Sequence, residues 1–210
     1  MNRSERTIQP TPLNPQIKGT ATHTSWRSQG FTLIELMITL TVAVILIAIA
    51  IPSFNYLTVS SKLTTVSNDL VTALNTARME AIKRNNLITT CSNTGNGTDA
   101  LGAACGTQAG AVYATLSDGT ATLVRAGIVG LTPPISIQNF TRLNFSGEGL
   151  GEKVGSNAPW TGLVADIYTS QISSNNHRCV YITTGSVVRT CTETFTPGVC
   201  LNAQPKTCNQ

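Results

Sequence analysis

Six cysteines, two histidines and one carboxylate inside an apolar run are the residues of this 210-residue chain whose types could do chemistry. The cysteines, Cys91, Cys105, Cys179, Cys191, Cys200 and Cys208, all follow residue 90. Thiols grouped in this way close as disulfides in an oxidising compartment or share a zinc ion. No C-x-x-C occurs and neither His23 nor His177 stands at a ligand spacing, so a disulfide framework is expected and no metal site. Six cysteines allow 15 connectivities, which spacing does not resolve. Nearest-neighbour pairing is the expectation: Cys91 with Cys105 around a loop of Gly, Asn and Ala, and Cys200 with Cys208 around a short C-terminal loop. For Cys179 and Cys191 there is a geometric argument. A three-residue hairpin loop at Thr184-Gly185-Ser186 makes residues whose numbers sum to 370 face each other, which places these two within disulfide reach.

Other reactive groups are sparse. No serine elbow, carboxylate pair or metal-binding helix is visible, and nothing after Gly147, Gly149 and Gly151 reads as the helix N-terminus that a phosphate loop needs. His177, beside Asn175 and Asn176, is expected on the surface. No cofactor and no enzymatic activity are expected. Of fourteen bases and ten acids, Arg3, Arg6, Lys18, Arg27 and Glu5 lie in the first thirty residues, leaving ten bases against nine acids beyond them. The formal charge of +4 therefore implies no basic surface on the rest of the chain, and a general electrostatic nucleic-acid binder is not suggested.

The carboxylate in question is Glu35. Phe31 to Ile51 is apolar and, at about 1.5 Å per helical residue, long enough to cross a hydrocarbon core of roughly 30 Å. A charge inside such a span costs about 2.5–3.5 kcal/mol on insertion scales, so it needs a partner or a role. The preceding residues, rich in Arg, Thr, Pro, Ser and Gln without apolar period, read as a leader. Two ordinary readings compete: an anchor that is never cut, and a secretory signal cleaved after Ala48-Ile49-Ala50. The second is disfavoured because Glu35 interrupts its apolar region and a helical pattern continues past Pro52.

The junction Gly30-Phe31-Thr32-Leu33-Ile34-Glu35 resembles the type IV prepilin cleavage motif. The resemblance implies that a prepilin peptidase cuts between Gly30 and Phe31 and that the new amine of Phe31 is N-methylated, while the apolar helix stays on the mature protein. It also implies an assembly role for Glu35, whose carboxylate would pair with the Phe31 ammonium as one subunit joins another. Bases before the span and few after it put the N-terminus in the cytoplasm; in the bacterial cell that the motif implies, this is a single pass through the inner membrane with a periplasmic head.

Stepping out from the junction, Leu63, Val66, Leu70, Leu74, Ala77 and Ala81 recur at three and four residues and line one helix face, with Thr64, Asn68, Thr72, Asn75 and Thr76 mostly opposite. Pro52, between the two halves, is expected to kink the helix without ending it. The run Leu74-Asn75-Thr76-Ala77-Arg78-Met79-Glu80-Ala81-Ile82-Lys83-Arg84-Asn85 is similar to the signature of the GspH/FimT-like minor pseudopilins. Its charges, Arg78, Glu80, Lys83 and Arg84, read physically as a solvated face with i,i+3 and i,i+4 pairs.

After Asn86 short strands are expected at 87–91, 111–116, 121–126, 135–138, 142–145, 163–169, 178–183 and 187–190. Ser117-Asp118-Gly119-Thr120 signals a hairpin and Ser146 to Gly151 a flexible loop. Phe145-Ser146-Gly147-Glu148-Gly149 and Arg178 to Gly185 match stretches typical of the same family. The expected fold is α+β: a leader over residues 1–30, a long helix over 31–86 (31–51 transmembrane, 53–86 amphipathic), and a β-rich head over 87–210, a small antiparallel sandwich packed against the helix. The resemblance implies a minor pilin or pseudopilin, a structural subunit of a type IV pilus or type II secretion pseudopilus, with other pilins and the peptidase as partners. An alternative is a DNA-binding minor pilin for natural transformation. The glycine-arginine-x-arginine motif of such proteins departs here to Gly185-Ser186-Val187-Val188-Arg189, leaving Arg178, Arg189 and Lys206 as candidate phosphate contacts.

Overall fold

The computed structural model describes residues 30–93, 105, 108–116, 119–194 and 198–208. The leader before Gly30, His23, and Ser117-Asp118 of the expected hairpin lie outside them. The chain divides into two units, one ending at Ile45 and one beginning at Leu46.

One helix, α1 (Leu33–Arg84), contributes to both. Its start is capped by Thr32, whose Oγ1 accepts the Glu35 N–H at 3.3 Å while its carbonyl accepts the Leu36 N–H. Through Ile51 every residue is exposed, and one 18-residue stretch has a mean hydropathy of 2.7, long and apolar enough to cross a membrane. The hydroxyls of Thr39 and Thr41 donate to carbonyls one turn back, which satisfies them within this apolar stretch. Pro52 lies inside the helix and does not end it. At the C-terminus Asn85 takes the left-handed conformation (φ 46°), the Asn86 N–H bonds the Ala81 carbonyl and the Asn85 N–H that of Ile82. This is a Schellman stop, with Lys83 and Arg84 in the last turn where the helix dipole favours cations.

From Leu46 onward the second half of α1 packs with two antiparallel sheets. The first has the order β3 (Ala121–Arg125), β2 (Val112–Thr115), β1 (Ile88–Thr90), β5 (Leu143–Phe145), β6 (Gly151–Lys153). The second runs β4 (Ser136–Gln138), β7 (Gly162–Tyr168), β8 (His177–Thr183), β9 (Val187–Glu193). Leu63, Val66, Leu70, Leu74, Ala77 and Ala81 are all buried in one core with Ile88, Val112, Phe145, Ile167, Val180 and Ile182 of the sheets. The helix periodicity therefore identified the face that the head covers.

Two expectations are corrected here. Ser146 to Gly151 is not a flexible loop but a tight turn, closed by Ser146 N–H to Leu150 O at 3.0 Å, and it leads into a strand, β6, that the sequence did not signal. Its glycines are explained by proximity to the helix end: a Cβ on Gly147 would collide with Asn85, and one on Gly149 would lie 2.7 Å from Ile82 Cδ1. Arg78 does not belong to a solvated face, because its Nη1 donates to the Ser186 carbonyl at 3.0 Å and ties α1 to the β8–β9 turn. Glu80, Lys83 and Arg84 do form the exposed i,i+3 and i,i+4 pairs, and the hydrogen bond from Arg84 holds the Glu80 carboxyl below its ordinary pKa.

Candidate functional site

The first candidate is the helix start. Thr32 to Glu35 has the form of a capping box, with threonine at the cap and glutamate three residues on, and the Glu35 amide makes the cap bond. Glu35 lies in the first turn, where the positive end of the helix dipole favours a carboxylate. This gives the charge a local physical reason that the reading of the apolar run missed, although the Thr-x-x-Glu signal was present. Gly30, Phe31 and Glu35 are all exposed.

The second candidate lies on the outer face of the β4-β7-β8-β9 sheet. Strand register places Gln138 opposite Asp166, Asp166 opposite Cys179, and Cys179 opposite Cys191, so the four form one row across the sheet. Opposed residues share a face. The C-terminal segment from Gly198 crosses this face: the Leu163 N–H bonds the Asn202 carbonyl at 2.9 Å and the Cys200 N–H bonds Asp166 Oδ2 at 3.1 Å. Asp166 is fully buried and also accepts from Gln138 Nε2 at 2.8 Å, while its Oδ1 lies 2.7 Å from His177 Nδ1. His177 is thus not a surface residue. It is 3% exposed and stacked on Tyr168 because it opens β8 with the parity of the row rather than lying in the polar loop before it.

The disulfides follow from that crossing. Cys91 bonds Cys105 as expected. Cys179 bonds Cys200, and Cys191 bonds Cys208, with Cα separations of 5.7 and 5.5 Å. The register argument holds, since Thr183 faces Val187 and Cys179 faces Cys191, but the expected Cys179–Cys191 and Cys200–Cys208 bonds do not form. The reason is the tail, which lies on the same face and presents its own cysteine to each. Hydrogen bonds already hold β8 to β9, whereas bonds spanning 21 and 17 residues restrict the unfolded chain by about 3 kcal/mol each in the loop-closure account.

The tail also buries Tyr181, whose hydroxyl donates to the Leu201 carbonyl at 2.9 Å. Burial, helped by the charges of Glu193 and Asp166, pushes its phenol up to about 12. Unfolded, the same phenol ionises near 10. The native state therefore holds the proton longer, and the contribution of Tyr181 to stability is constant below pH about 10 and falls as pH rises from 10 to 12. Denaturation midpoints measured across that range are expected to show the decline, with Tyr181→Phe flattening it.

The three candidate phosphate contacts do not converge. Arg178 is 5% exposed on the inner face, with Nη1 donating to the Asn175 and His177 carbonyls and Nη2 to Ser60 Oγ at 3.1 Å. Burial lowers its pKa from the ordinary arginine value. Arg189 is exposed and faces Tyr181, on the opposite side of the sheet, and Lys206 lies on the tail. A groove bounded by Lys153, Trp160, Thr183, Asn202 and Lys206 has no carboxylate or imidazole among the described residues that line it.

Neither a curated protein nor a solved structure matches the chain. A family model described as type II transport protein GspH matches residues 66–186, more than half of the chain, covering the last part of α1 from Val66 and the sheets through the β8–β9 turn. The prokaryotic N-terminal methylation motif matches residues 27–51, the junction and the apolar span. With both halves of its architecture accounted for, the chain belongs to the GspH family and is a GspH/FimT-type pseudopilin, a structural pilin-like subunit.

Proposed function

We propose that this protein is a minor subunit of an envelope-spanning filament, a type II secretion pseudopilus or a type IV pilus, and that it enters the filament through the Phe31–Ile51 helix. The observation that carries this is the pairing of a fully exposed apolar half-helix with an N-terminal methylation motif across the same residues. In the proposed sequence of events a prepilin peptidase cuts after Gly30 and the Phe31 amine is methylated. Before assembly the helix anchors the chain in the inner membrane with the head in the periplasm, where the disulfides form. Glu35, held in the first helical turn by the Thr32 cap, then meets the Phe31 ammonium at a subunit junction, where pairing makes a buried charge tolerable. Other pilins or pseudopilins are the partners. A role in DNA uptake would rest on Arg189 and Lys206 without Arg178, and nothing in their placement favours it.

Two measurements test the proposal. Mass spectrometry of the mature protein is expected to find N-methyl-Phe31 at its start; a terminus at Met1 or after Ala50 defeats the reading. Glu35→Val is expected to leave the head folded and lower the protein's level in sheared filaments by about tenfold or more, equivalent to about 1.4 kcal/mol of lost pairing. Wild-type incorporation of that variant would remove Glu35 from the assembly step.

A further inference from the structure

Asp166, Cys179 and Cys200 bring a carboxylate oxygen and two sulfurs within 4.8 Å of one another, and all three residues are buried. Two sulfurs and a carboxylate are a zinc-type donor set. In the oxidised chain the sulfurs are bonded to each other and offer no thiolate. We propose that reduction of the Cys179–Cys200 disulfide converts this cluster into a site for a zinc-type divalent cation, with Asp166, Cys179 and Cys200 as ligands and water in the fourth position.

The geometry suits the change. Two Zn–S bonds of about 2.3 Å in a tetrahedron set their sulfurs about 3.8 Å apart. Cα atoms 5.7 Å apart allow that by side-chain rotation alone. Both oxygens of Asp166 are already oriented, one beside His177 Nδ1 at 2.7 Å and the other by Gln138 Nε2 at 2.8 Å and the Cys200 N–H at 3.1 Å. Such outer partners fix a ligating carboxylate in place. The neighbouring Cys191–Cys208 pair packs against the same cluster but lies outside the donor group. Spacing could not have shown the site, because the third ligand is on a different strand and no C-x-x-C is involved. The cation would hold the tail on the sheet in a chain that has not yet been oxidised.

The chemistry balances with a phosphine as reductant. The phosphine takes the oxygen of one water and becomes the phosphine oxide, while the disulfide takes up two electrons and two protons and becomes two thiols. Binding of M²⁺ then releases those two protons as the sulfurs coordinate.

The test uses the full chain in detergent, reduced with a trialkylphosphine without oxygen, and cobalt(II) as a coloured probe. One cobalt per chain is expected, with a thiolate-to-cobalt charge-transfer band that zinc(II) abolishes and that the unreduced chain lacks. Cys179→Ser and Cys200→Ser are expected to lose the band, and Asp166→Asn to weaken cobalt by about tenfold or more. The double variant Cys191→Ser/Cys208→Ser is expected to keep it. No band in the reduced wild type overturns the proposal whether or not the head stays folded, since the site must survive reduction. A band that persists in Cys179→Ser, is undiminished in Asp166→Asn, or vanishes in the Cys191→Ser/Cys208→Ser double variant overturns it equally.

Discussion

Asp166→Ala is expected to destabilise the head by about 3–5 kcal/mol, the range for removing one partner from a buried charged network. The carboxylate is fully buried and takes the Gln138 amide, the Cys200 N–H and the His177 ring at once. Alanine leaves those groups facing a void, and each donor that water cannot reach costs about 1–3 kcal/mol. Because one of them is the Cys200 amide, the tail loses one of its polar anchors to the sheet as well. Denaturant unfolding of the oxidised chain measures the loss. Asp166→Asn keeps the shape and an acceptor oxygen, so it is expected to recover a large part of the stability. Equal losses for the two variants would show that packing, and not the hydrogen-bonded charge, is what Asp166 contributes.

Leu74→Ala is the second large effect, an expected loss of about 3 kcal/mol or more. Leu74 has no exposed surface and lies in the core shared by α1 and both sheets. Leucine truncations at such sites cost about 2–5 kcal/mol, the upper part of the range applying where the surroundings cannot collapse. Here the neighbours are strands in hydrogen-bonded register, which resist collapse. Asn75→Ala, one residue away on the exposed face, serves as the control and is expected to change stability by less than about 0.5 kcal/mol. Thermal unfolding of the two variants side by side checks the assignment of the buried face.

Much of the architecture was legible because it is carried by local periodicity. The spacing of Leu63, Val66, Leu70, Leu74, Ala77 and Ala81 named the buried face, and that of Thr184-Gly185-Ser186 named the hairpin register residue by residue. Eight strands were placed from β-branched runs between turn residues. The ninth, β6, escaped because Gly151-Glu152-Lys153 has no strand-forming residue; it is held by pairing with β5 and by the Gly185 carbonyl, which accepts the Gly151 N–H.

The candidate sites divide along the same line. Gly30, Phe31 and Glu35 could be proposed from sequence because the junction is a contiguous motif, which the N-terminal methylation model matches within residues 27–51. The Asp166 cluster was not, because Gln138, Asp166, Cys179 and Cys200 meet only after three strands and the tail are laid side by side. His177 and Arg178 show how finely this is decided. Adjacent in the chain, they face opposite sides of one sheet, the first into the Asp166 row and the second toward Ser60 on α1. Sequence by itself determined the family, the membrane-length helix, its buried face and the β8–β9 register, all set by neighbours within a few residues. Tertiary structure alone decided which cysteines pair and where Asp166, His177 and Arg178 point, because the path of the tail and the parity of each strand depend on contacts between residues far apart in the chain.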